Sequence, residues 1–170
     1  MQYYTLPYLG GRHYVHSSTF VNSILDLFPA LNNASFYFTK ISQGSYYTLN
    51  LSSTQIEGNV HGVVDGIYFA FTNTDVDIDI PKVAPEPKTI SIDNLNRSEF
   101  IWNSVAHFKQ SYEDDHAEGQ PVIAKIELKN FNSIQWPAKF QFSRRYTPTR
   151  TSCSFTYNGV EICKQIGMIR

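Results

Sequence analysis

Sulfur is scarce in this chain, which holds only two cysteines and two methionines in 170 residues. The cysteines themselves flank Asn158-Gly159, and a two-residue turn there would set Ser154 opposite Cys163 and Cys153 opposite Lys164. On that register the thiols point to opposite sides of the ribbon and cannot bridge. Free thiols imply a reducing compartment, and the expected location is the cytoplasm. Charge is also sparse: 17% of residues are charged and the net charge is -1, so no field is present to hold nucleic acid or anionic lipid. The one basic cluster, Arg144, Arg145 and Arg150, reads either as solvated strand ends or as a landing place for phosphate. No apolar run reaches the length of a membrane span, and Met1 to Leu9 has no basic leader. Gly-x-Ser-x-Gly, P-loop and dinucleotide fingerprints are missing. The acidic run Glu113-Asp114-Asp115 ends in His116, but its spacing does not suit a metal, so neither a metal site nor a resident cofactor is expected.

Aromatic side chains are abundant instead, with 12 Phe and 11 Tyr to fill an interior. Two dipeptides that tolerate positive φ angles, Asp65-Gly66 and Asn158-Gly159, each lie between alternating apolar runs and predict tight hairpins. In the first, Val60, Gly62 and Val64 share a face with Ile67, Phe69 and Phe71, leaving His61 on the polar face. In the second, Phe155 and Tyr157 share a face with Val160 and Ile162, while Gln165 takes the other. Period-two alternation predicts further strands at 35–41, 45–52, 122–131 and 138–146. Helices are predicted at 18–28, with Phe20, Val21, Ile24, Leu27 and Phe28 on one stripe, and at 97–112, with Ile101, Val105, Phe108 and Tyr112 on another. Asn96 and Glu99 have the spacing of a capping box, which makes Glu99 a cap rather than a catalyst.

These elements recur in one order. Strand 3–6, helix 18–28, two strands and the Asp65-Gly66 hairpin are followed by strand 89–92, helix 97–112, two strands and the Asn158-Gly159 hairpin. The fold class is therefore α+β, with modules at 1–80 and 87–170 joined by a proline-rich linker at 75–88.

A helix followed by strands that close on "Asn-Gly, then Val-x-Ile" resembles the hotdog fold, in which a curved antiparallel sheet wraps one central helix. The stretch Pro121 to Ile169 resembles the second half of a hotdog acyl-thioester dehydratase, with Arg144-Arg145 to Ile169 the best-matched part. Two such modules in one chain imply a tandem, or double, hotdog packed as a pseudo-dimer. The dehydratase motif is His-Phe-Pro-Gly, with Phe seven and Glu fourteen residues after the His. Here His13-Tyr14 is followed by Phe20 at the first spacing, but Val15-His16 replace Pro-Gly and Leu27 replaces Glu. Registering Phe100 on Phe20 puts Asp93 at the His position and His107 at the Glu position of the second module. Because the family builds each site from both partners, the resemblance implies one live site joining His13 to His107 and a dead one joining Asp93 to Leu27. A histidine can shuttle protons but cannot supply the fixed charge of Glu, so dehydration itself is placed in doubt.

What the resemblance implies is acyl-thioester processing in fatty-acid or polyketide-type biosynthesis, as a dehydratase or thioesterase. The substrate would ride on acyl carrier protein or coenzyme A, and a homodimer is compatible with the reading. His13 and His107 are the candidate catalytic residues, with His16, Phe20, Asn103 and Arg12 as substrate-binding candidates. Each has a plainer reading: loop histidines for His13 and His16, a core-edge ring for His107, surface or capping for Asn103. The competing functions are a non-catalytic acyl-binding or scaffold tandem hotdog and a β-rich interaction protein without a ligand site.

Overall fold

The computed structural model describes residues 2–39, 44–74 and 82–170. The chain divides into two compact units, Met1–Pro87 and Lys88–Arg170. Part of the predicted linker, 75–81, lies outside the described residues, as does the end of the strand predicted at 35–41.

In the first unit, strand β1 (Gln2–Thr5) and the short β2 (Tyr8–Leu9) lead to helix α1 (Ser17–Leu27). Strands β3 (Ala34–Phe38), β4 (Tyr46–Ser52), β5 (Val60–Val64) and β6 (Ile67–Asn73) follow, then β7 (Val83–Ala84), which pairs in parallel with β2. The main sheet is antiparallel in the order β1-β4-β6-β5-β3. Alternation decides which side chains meet the helix. Phe36, Tyr47, Val60, Phe69 and Phe71 are buried on one face, and Phe20 of α1 packs edge-on against Tyr47 at 5.1 Å and Phe71 at 5.3 Å. Each ring buried this way stabilises the fold by roughly 2–3 kcal/mol. The hairpin turn is as predicted, with φ of 45° at Asp65 and 85° at Gly66. Asp65 does more than turn, since its carboxylate accepts from the backbone N–H groups of Asn32 and Asn33 at 3.0 and 2.8 Å. That ties the turn to the segment entering β3.

The second unit contains helix α2 (Arg97–Asp115), strands β8 (Pro121–Leu128), β9 (Gln141–Tyr146), β10 (Arg150–Tyr157) and β11 (Val160–Ile169), and a 3-10 turn at Phe131–Ser133. Glu99 accepts from the N–H of Asn96 at 2.9 Å, the glutamate half of the predicted capping box. The sheet is antiparallel in the order β9-β10-β11-β8. Phe100 of α2 is fully buried among Phe131, Phe140 and Phe155.

Two expectations, the strand at 89–92 and the opposed thiols, are corrected. No regular strand forms at 89–92; instead Ile92 O accepts from Phe140 N and Leu95 bridges Ala138, single contacts that hold the segment without a ladder. The two units also connect like elements differently. The second runs β9-β10-β11 as a meander, whereas in the first β6 lies between β4 and β5, so the chain at 53–59 must cross from one side of β6 to the other. Finally, the thiols share a face. A β-bulge between Phe155 and Thr156 pairs Phe155 with Cys163 and Cys153 with Gln165, so both cysteines and Gln165 turn into the core. Both thiols remain free, as neighbours on a diagonal rather than directly opposite.

Close approach fixes one residue type. A Cβ at Gly62 would stand 1.7 Å from the Ser35 carbonyl oxygen and 3.0 Å from the Phe69 ring. Gly62→Ala is expected to cost about 3 kcal/mol or more in urea unfolding, or to abolish folding. A loss within experimental error of zero would contradict this packing of β3 on β5.

Candidate functional site

The start of α1 is set by a histidine. His16, 3% exposed, is the N-cap in extended backbone, and its Nδ1 accepts from Ser18 N–H at 3.1 Å and lies 2.7 Å from Ser18 Oγ. A cap from imidazole is unusual, because Ser, Thr, Asn and Asp dominate there. It requires Nδ1 unprotonated and spends one of the helix's first free N–H groups. His13 lies four residues before the first helical residue and is exposed. Arg12, beside it, pairs with Glu86 at 2.9 Å and donates to Leu9 O at 3.2 Å. Phe20 is 2% exposed and belongs to the core packing of α1.

The other candidates lie on α2. His107 meets its own sheet, with its ring edge-on to Phe142 at 4.6 Å and near Phe155 at 6.3 Å. Burial pushes its pKa below the ordinary value of 6.5, against the opposing pull of Asp93 and Asp114. Asn103 is 2% exposed and uses both ends of its amide, accepting from Ile90 N–H at 2.7 Å and donating to Glu99 O at 2.8 Å. It clamps the incoming chain to the helix. Of the six candidates, the structure thus brings His13, Arg12, His16 and Phe20 to the beginning of α1, and puts His107 and Asn103 on separate turns of α2.

Sequence reasoning missed a buried polar cluster in the second unit. Gln165 is fully buried, and its amide N–H donates to Ser104 Oγ at 2.9 Å and approaches Cys163 Sγ at 3.7 Å. Its Oε1 is buried without a hydrogen-bond partner among the described residues. Desolvation pushes the Cys163 thiol up to about 12, with Gln165 opposing, and raises Cys153 as well, so neither is a nucleophile at neutral pH. Only the bulge brings Gln165 inward, and the sequence alternation alone does not signal it.

No family model and no curated protein matches the sequence. Solved structures do match the fold. A candidate oleoyl thioesterase from Lactobacillus plantarum superposes with a TM-score of 0.54 at 8% identity, over 99% of this chain and 94% of that one. An acyl-ACP thioesterase from Bacteroides thetaiotaomicron gives 0.52 at 8% identity, over 99% and 96%. This chain shares the fold of both, a hotdog fold.

The His107 environment sets a pH dependence. Its folded pKa is depressed, so unfolding takes up a proton below pH 6.5, and the stability linked to it is full above 6.5 and falls as pH drops toward the folded value. The urea midpoint is expected to rise between about pH 5 and 7, and His107→Gln to flatten part of that rise. An unchanged slope in the variant would contradict the desolvated placement.

Proposed function

We propose that this chain hydrolyses acyl thioesters, and that its two units are paired modules of a double hotdog. The observation that carries the proposal is the likeness to two thioesterases along nearly the whole of all three chains. Two compact units, each with one helix on an antiparallel sheet, support the paired reading. Acyl carrier protein is the favoured carrier, because one of the matched structures acts on acyl-ACP. A place in fatty-acid or polyketide-type synthesis and a cytoplasmic location belong to the same proposal. They fit two free thiols and the absence, among the described residues, of a helix able to cross a membrane.

Hydrolysis needs a base for water, a donor for the carbonyl oxygen and an apolar seat for the acyl chain. His13 is exposed and lies next to a helix start, whereas His16 is buried in the cap and His107 packs edge-on against Phe142. In the proposed step, His13 takes a proton from water as its oxygen attacks the thioester carbonyl carbon. N–H groups at the beginning of α1 stabilise the oxyanion, the C–S bond breaks, and the proton passes to the departing sulfur to give acid and thiol. The His16 cap limits which N–H groups are free to do this, since the Ser18 N–H is already engaged. His107 is assigned a packing role that holds α2 on its sheet, consistent with its aromatic contacts.

Release of free thiol from long- and short-chain acyl thioesters measures the activity. His13→Ala is expected to cut kcat by roughly two to four orders of magnitude with the fold intact by circular dichroism. Full activity in the alanine variant would remove His13 from the chemistry. No turnover by the unaltered chain on any carrier would favour the binding or scaffold reading.

A further inference from the structure

We draw no further inference here: the strongest candidate, the buried polar cluster of Gln165, Ser104 and Cys163 between α2 and its sheet, is closed to solvent, and nothing in the structure shows what would meet the Gln165 carbonyl oxygen that it leaves without a partner among the described residues.

Discussion

Everything in each unit depends on one aromatic contact between helix and sheet. In the first, Phe20 wedges edge-on between Tyr47 of β4 and Phe71 of β6, which draws two neighbouring strands onto one point of α1. In the second, Phe100 stands edge-on to Phe155 of β10 and tilted against Phe140, which leads into β9. The edge-on geometry sets the positive rim of one ring against the negative face of another, worth about 1 kcal/mol beyond area burial. It also fixes rotation of the helix about its axis. With Phe20 pointing into the sheet, the residues four and three before it, His16 and Ser17, are carried to the rim where the helix begins.

The helix start then inherits a constraint from its cap. A buried imidazole caps α1 only while Nδ1 carries a lone pair, so the geometry next to His13 is tied to the protonation state of His16. The same ring removes the Ser18 N–H from those able to face a developing oxyanion. With the Thr19 N–H also donating to His16 O at 3.0 Å, catalysis at this position would draw on the Ser17 N–H and on the dipole of an eleven-residue helix.

Much of this was legible in the sequence because local chemistry settled it. Asp65-Gly66 and Asn158-Gly159 adopt the positive φ angles that their residue types tolerate, and the stripe Phe20, Val21, Ile24 faces the core. Glu99 caps as its spacing predicts. The failures are non-local. Ile162 is an extra residue in β11, and that single insertion moves Cys163 and Gln165 to the buried face. Nothing in the alternation of the sequence marks it. Residues 89–92 have strand-like composition, but isolated contacts with Phe140 and Ala138 take the place of a ladder. The repeat of element types was visible, while the exchange of β5 and β6 in sheet order was not, because hairpins specify their own pairing and not which side joins the sheet. Asn103 read as a polar group available to substrate; in the structure both ends of its amide are bonded within the unit.

The most direct test of the account is an experimental structure with a long-chain acyl thioether ketone, an analogue that cannot be hydrolysed. Its carbonyl is expected at the beginning of α1, within about 3 Å of a first-turn N–H and with His13 in reach of a water on the carbonyl carbon. An analogue that fails to bind at saturating concentration, or that lies away from the beginning of α1, would contradict it.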